Sequence, residues 1–136
     1  MLLSMKKIDN FSNSLRILKK ADFEKVHQDE IYRTGVIGQF SLTFELAWKA
    51  LQEMLIRYGV LFTLGSPREV LKAAYKCSFI DDEKTWLLML NKRNISTHIY
   101  SEEKIDDMLV LIQEKFIFAF TELENKLREK YFSRDE

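Results

Sequence analysis

Apolar side chains recur at intervals of three and four residues along almost the whole chain, and this spacing constrains the fold more than any other feature. It places apolar residues on one face of an α-helix, whereas a half-buried strand would alternate every second residue. Only four glycines and one proline are available for tight turns among 136 residues. The sequence therefore predicts an all-α protein: an antiparallel up-and-down bundle of four to five helices, forming a single domain over residues 1–136.

The predicted helices begin and end at recognisable capping residues. They run, in chain order, from about Lys6 to Lys20 with a bent continuation through Val26, from Asp29 to Tyr58, from Ser66 onward, from Asp81 or Asp82 onward, and from Ser101 to beyond Leu127. Gly59 is the expected stop of the second helix, and Ser66-Pro67 with Glu69 is typical of a capped N-terminus. The Lys- and Glu-rich tail from Glu122 is expected to fray in solvent.

The second predicted helix carries two apolar stripes. One stripe contains Ile37, Phe40, Phe44, Trp48, Leu51, Leu55 and Tyr58, and the other contains Val36, Leu42, Leu46 and Ala50. A helix that is apolar on two faces is buried against more than one neighbour. We therefore expect surface left over for a partner, with a second copy of the chain as the simplest one.

Composition excludes several classes of function. Basic and acidic residues both number 21, so the formal net charge is zero and any contact with nucleic acid must be local. The single cysteine, Cys77, excludes an intrachain disulfide and is expected to be a small buried residue, while two histidines argue against a zinc site. We expect no metal and no cofactor. Without a signal-peptide or membrane-span pattern, the expected location is the cytoplasm, with no membrane contact.

The segment Asn91 to Tyr100, NKRNISTHIY, concentrates polar side chains directly after an apolar helical turn. Arg93 offers planar donors suited to phosphate, and His98 can exchange protons near neutral pH. The two are five residues apart, about 140° around a straight helix. They can serve one ligand only if the helix unwinds, the ligand is large or a dimer shares the site.

An arginine and a histidine without metal ligands suit metal-independent cleavage of an RNA backbone. His98 would move the proton and Arg93 would stabilise the charged phosphorane. Lys92, Asn94 and Thr97 are candidates for binding or orienting the substrate. In the competing interpretation, Arg93 forms an ion pair with a carboxylate such as Glu45, and His98 caps a helix end. Glu45 also has the spacing for a pair with Lys49, four residues on.

The pattern Arg93-x-x-x-x-His98-x-Tyr100 resembles the signature of the HEPN superfamily (higher eukaryotes and prokaryotes nucleotide-binding domain). Three further stretches resemble its nucleotidyltransferase substrate-binding protein branch: FELAWKAL from Phe44, SPREVLKAA from Ser66, and the W-x-x-M-L-x-x-R-N pattern from Trp86. The resemblance covers about residues 30–125. One departure stands out, because the chain has Ile37-Gly38-Gln39-Phe40-Ser41 where family members often read I-Q-R-F-E.

The resemblance implies a homodimeric helical bundle that binds a minimal nucleotidyltransferase chain. In related toxin–antitoxin pairs the HEPN chain is a metal-independent ribonuclease, and the transferase silences it by adding AMP to the motif tyrosine. By motif, the catalytic residues would be Arg93 and His98, and the AMP acceptor would be Tyr100. The chain itself lacks a nucleotidyltransferase motif, since no suitable Asp-x-Asp pair follows Gly65-Ser66.

Three functions therefore stay open from the sequence. The leading one is a partner subunit of a minimal nucleotidyltransferase, of the toxin–antitoxin type, that binds a nucleotide or RNA substrate. The alternative is a ribonuclease toxin that uses Arg93 and His98. The second alternative is a dimerisation bundle without catalytic activity.

Overall fold

A computed structural model describes residues 2–94 and 101–135, with side chains from 5 to 94 and from 101 to 133. The helices are α1 (Leu2–Lys19), α2 (Glu30–Arg57), α3 (Pro67–Lys76), α4 (Glu83–Lys92), α5 (Glu102–Leu111) and α6 (Ile117–Asp135). A π-helical turn (Ile112–Phe116) joins α5 to α6, and a short 3-10 turn (Lys25–His27) precedes α2. Because α5, the π turn and α6 form one continuous rod, the described part of the chain has five helices and no strand. This confirms the predicted all-α class.

Side-chain caps fix where the helices begin. Asp29, Ser66, Asp82 and Ser101 each accept a hydrogen bond from the backbone N–H three residues on. Such bonds satisfy amides that have no partner within the helix. The Thr85 hydroxyl also donates to Asp82, and together with the Thr85 amide it holds the pKa of that carboxyl below its ordinary value of 3.8.

Hydrogen bonds to one carboxylate also shape the turn between α2 and α3. The Glu69 carboxylate accepts hydrogen bonds from the backbone N–H groups of Thr63, Leu64 and Gly65, at 2.7, 3.0 and 2.8 Å. The sequence predicted a return bond from Glu69 to the Ser66 cap, and the Ser66 amide is among the groups that lower the pKa of Glu69. The carboxylate also binds the three amides of the loop that precedes the cap, which the sequence did not predict. Gly59, at φ +90°, ends α2 as expected, because this left-handed conformation suits glycine.

Helices α1, α2, α4 and α6 alternate in direction around a shared core, and the short α3 connects α2 to α4. Helix α1 is antiparallel to α2, since Lys7 pairs with Glu53 and Ser14 contacts Thr43. Helix α1 is also antiparallel to α6, where Arg128 binds Asp9 and Ser12. Helix α4 returns along α2, with Trp86 beside Phe44 and Arg93 beside Ser41. This is the up-and-down order that the sequence predicted.

Aromatic rings fill the centre where α1, α2, α4 and the last helix meet. Phe40 stacks on Phe116 with 5.2 Å between ring centroids and also contacts Phe120. Phe120 in turn meets Phe11 and Trp86 edge-on. Offset-stacked and edge-on pairs are the favourable arrangements of aromatic rings. The aromatic centre therefore ties α4, and the residues at its end, to the rest of the bundle.

Two expectations from the sequence were wrong. Cys77 is exposed, because it caps the C-terminus of α3 at the surface and not in the core. The tail does not fray within the described residues, since α6 is helical to Asp135 and buries Leu123, Leu127 and Tyr131. The Arg57 guanidinium lies 4.6 Å from the centre of the Tyr131 ring, so the tail is also held at the end of α2.

Candidate functional site

Arg93 lies at the C-cap of α4, where the predicted polar segment begins. Its backbone carbonyl accepts a hydrogen bond from the Ser41 hydroxyl of α2, with 2.5 Å between the oxygens. This bond satisfies one of the carbonyl groups that a helix end leaves without a partner in the helix. The end of α4 is therefore attached directly to the middle of α2.

The Arg93 side chain is fixed on the same face of α2. Its Nη1 lies 3.2 Å from Oε1 of Glu45, which is one helical turn beyond Ser41. The second oxygen of that carboxylate, Oε2, accepts a hydrogen bond from Nε1 of Trp48 at 2.9 Å. One carboxylate thus joins a guanidinium from α4 to an indole of α2.

The ion pair with Glu45 uses one nitrogen of the Arg93 guanidinium. The Arg93 side chain is 25% exposed and the Glu45 side chain is 38% exposed. Among the described residues, Nη1 is the one guanidinium nitrogen with an acidic partner. Because a guanidinium carries five N–H donors, a single-point pair leaves donors for a further acidic group.

Two other candidate residues are the sequence neighbours of Arg93 at the C-terminal end of α4. Lys92, the last residue of the helix, is half-buried, and Asn94 is exposed. Lys92, Arg93 and Asn94 are consecutive in the chain and lie at the C-terminal end of α4. Thr97, His98 and Tyr100 lie outside the described residues, so their roles stay predictions.

The structure bears on both competing interpretations of Glu45. Its pairing with Arg93, which the sequence offered as the simple structural explanation, is present. The predicted pair between Glu45 and Lys49 is wrong, because the carboxylate is occupied by Arg93 and Trp48. Lys49 lies instead with its Nζ 6.0 Å from the centre of the Trp48 ring. Ion pairing and ligand binding are compatible for Arg93, since the pair uses one nitrogen.

Sequence reasoning missed two residues of this arrangement, Ser41 and Trp48. Trp48 lies in the FELAWKAL stretch but was assigned to the core. Its hydrogen-bonding N–H was the available signal, because a partly buried indole usually finds an acceptor. Ser41 offered no local signal, since its partner is 52 positions away.

Of the three positions that depart from the I-Q-R-F-E pattern, Gln39 and Ser41 replace the charged residues and have separate roles. Gln39 stands at the basic position, and its Nε2 donates to the backbone carbonyl and hydroxyl of Ser14 on α1. Ser41 stands at the acidic position and holds the Arg93 carbonyl. Arg93 therefore has Glu45 as its acidic partner on this stretch of α2.

Within residues 2–94 and 101–135, none of the helices combines the length and apolarity needed to cross a bilayer.

Comparison with known proteins assigns the chain to a family. No curated protein matches it. Residues 6–129 match the model of a family described as nucleotidyltransferase substrate binding protein like. This match spans most of the 136 residues, and it includes the stretches that suggested the resemblance. The chain belongs to the nucleotidyltransferase substrate-binding protein-like family.

Proposed function

We propose that this chain is the substrate-binding partner of a minimal nucleotidyltransferase and that it binds a phosphate-bearing substrate, a nucleotide or RNA, at the end of α4. The family supports the partnership with a nucleotidyltransferase. One observation carries the position of the site: the Arg93 guanidinium is anchored to Glu45 through one nitrogen, and the Arg93 side chain is 25% exposed. Planar donors in a fixed orientation recognise phosphate oxygens well.

The neighbours of Arg93 fit the same ligand chemistry. Lys92 adds a second positive charge, and Asn94 is exposed at the same helix end. The chain has no net charge, so its attraction for a polyanion depends on such a local group. We expect Thr97 and His98 to complete the site, with His98 beside the phosphate.

Binding can be measured by fluorescence anisotropy with a short labelled RNA oligonucleotide, and by calorimetry with ATP. Arg93→Ala should weaken binding of the true ligand about tenfold or more, because a charge-assisted bond to phosphate is lost. Arg128→Ala is the matched control, since Arg128 also makes one exposed ion pair, with Asp9 on another face. Equal affinities for wild type and Arg93→Ala would refute the site.

The same RNA decides between binding and cleavage. Incubation in EDTA followed by gel electrophoresis should leave the RNA intact if the chain only presents substrate. Cleavage in EDTA that is lost in His98→Ala, with helicity unchanged, would establish the ribonuclease alternative. Absence of both binding and cleavage would favour the purely structural bundle.

We also infer a homodimer formed through the outer face of α2. Ile31 is 86% exposed and Leu42 is 50% exposed on this face, while Gly35 and Gly38 between them have open space where a side chain would stand. Glycines allow close approach of a neighbouring helix, and a two-fold axis would use the same face of both copies. Sedimentation should give a dimer for the wild type and a monomer for Leu42→Glu. A monomeric wild type would contradict this.

The partnership with a nucleotidyltransferase can be tested separately from ligand binding, by co-purification and by mass spectrometry. A minimal nucleotidyltransferase from the same genome should co-purify with this chain after co-expression. Incubation with that partner and ATP should add the mass of AMP, and Tyr100→Phe should remain unmodified. An active transferase that leaves the wild-type chain unmodified would rule out Tyr100 as acceptor without affecting the binding proposal.

A further inference from the structure

Three residues on one face of α2 control the position of Arg93. Ser41 holds its carbonyl, and Glu45 holds its guanidinium. Trp48 holds the second oxygen of the Glu45 carboxylate at 2.9 Å. Among the described residues the indole bonds to Glu45, and Arg93 bonds to the same carboxylate, so the hydrogen-bonded path from the indole to the arginine passes through the carboxylate.

An ordinary exposed ion pair would not fix a guanidinium in this way. Such pairs contribute little to stability, because two long side chains lose rotational freedom when they meet. Here the carboxylate is already held by the indole, and the arginine backbone is already held by Ser41. Much of that freedom is therefore lost before the pair forms, and the guanidinium is preorganised for a ligand.

We propose that Trp48 and Glu45 form a positioning relay for Arg93, in which the indole N–H orients the carboxylate and the carboxylate orients the guanidinium toward phosphate. This rests on the proposed function, because it requires that Arg93 bind a phosphate group. Neither Trp48 nor Glu45 touches the ligand. Both are positioning residues and act through Arg93.

The charge of Glu45 and its positioning role have opposite effects on phosphate binding. Its carboxylate carries a negative charge beside the phosphate site and repels a phosphate. If charge were its whole influence, neutralising Glu45 would tighten binding. If the carboxylate positions Arg93, neutralising it weakens binding, since the guanidinium loses its fixed orientation. The sign of the change therefore separates the two cases.

Trp48→Phe is the sharpest variant, because it removes the N–H donor while keeping an aromatic ring and the net charge. We expect the dissociation constant for the labelled RNA oligonucleotide to rise about three- to tenfold, the equivalent of one hydrogen bond. Glu45→Gln should also raise it, because an amide forms a weaker bond to the guanidinium than a carboxylate does. Glu129→Gln removes an exposed negative charge at the far end of the bundle and should leave binding nearly unchanged.

Coupling to Arg93 distinguishes positioning from general damage to the fold. In an Arg93→Ala background, Trp48→Phe should have no further effect on binding, whereas loss of structure would lower affinity again. If Trp48→Phe unfolds the chain, Glu45→Gln in the two backgrounds gives the same test. Additive losses, or tighter binding by Glu45→Gln, would overturn the relay.

Failure of the relay is distinct from failure of the proposed function. If the wild type binds neither RNA nor ATP, the proposed function fails first. If the wild type binds and Arg93→Ala does not, while Trp48→Phe and Glu45→Gln bind like the wild type, the site stands and the relay is wrong.

Discussion

The hydroxyl oxygens of Ser14 and Thr43 lie 2.7 Å apart in the buried contact between α1 and α2. The Thr43 hydroxyl donates a hydrogen bond to the backbone carbonyl of Gln39. In the bond between the two hydroxyls, Ser14 is therefore the donor and Thr43 the acceptor. The Gln39 amide donates to Ser14 in return. These three residues satisfy one another in a contact where Ser14 is 4% exposed and Thr43 is fully buried.

Replacing Thr43 by valine should destabilise the bundle. The valine has nearly the same shape, but the Ser14 hydroxyl then loses its acceptor in a dry contact, which costs about 1–3 kcal/mol. Adding Ser14→Ala removes the stranded hydroxyl and should recover part of that loss. Urea denaturation of both single variants and the double variant measures the coupling. A double variant that loses the full sum of the two single effects would contradict this account.

The Glu69 carboxylate should make stability depend on pH. Its pKa lies below the ordinary value of 4.5, first because the Thr63 amide donates to it, then because the amides of Leu64 and Gly65 do. Because the folded protein favours the ionised form of Glu69, this carboxylate contributes its full stabilisation of the fold above pH 4.5. That contribution is lost as the pH falls through the lowered pKa. The wild type should therefore exceed Glu69→Gln in free energy of unfolding at neutral pH, and the difference should shrink on acidification.

Urea melts of both proteins between neutral pH and about pH 3 give that difference. Glu129→Gln serves as the control, because Glu129 is exposed on α6. If the difference in free energy of unfolding between wild type and Glu69→Gln stays constant with pH, the charge of the Glu69 carboxylate does not stabilise the protein.

Phe40→Ala should be among the most destabilising substitutions in the chain. Phe40 is fully buried and stacks on Phe116, and truncating such a ring costs about 3–5 kcal/mol. Phe118→Ala is the matched control, because Phe118 is 66% exposed and its loss should change stability by about 0.5 kcal/mol or less. Thermal melts followed by circular dichroism compare the two. Similar melting temperatures for the two variants would refute the placement of the aromatic centre.

Two glycine-to-alanine substitutions should have opposite effects. Gly38 has open space around an added Cβ, and alanine is the better helix former there, so Gly38→Ala should stabilise the protomer by about 0.4–1 kcal/mol. Gly59 has φ +90°, so Gly59→Ala should destabilise it by about 1 kcal/mol. Denaturation at low protein concentration avoids a contribution from self-association.

The same Gly38→Ala protein tests the dimer face. A side chain at this position would separate two closely packed helices, so the sedimentation dimer should weaken even as the protomer becomes more stable. A stabilised protomer with an unchanged dimer would place the interface elsewhere on the chain.

The sequence by itself determined the helices and most of their starting points. Asp29, Ser66 and Ser101 were predicted as caps or helix starts, and each binds an amide three residues on. A cap is a local interaction between close neighbours in the chain, so its residue types are visible without knowledge of the fold. The recurrence of apolar residues every three and four positions likewise predicted the main buried face of α2, which contains Ile37, Phe40, Phe44, Leu51 and Leu55, because helical periodicity is a property of the chain itself.

Only the tertiary structure decided how the candidate site is held. Glu45 had a possible partner one turn away in Lys49, yet it binds Arg93, which is 48 positions away, because α4 ends against α2. Ser41 completes that contact from 52 positions away. Contacts over such distances depend on how helices pack, and spacing along one helix does not reveal them. The sequence could single out Arg93 as a phosphate-binding side chain, whereas its support by Ser41, Glu45 and Trp48 follows from the meeting of two helices.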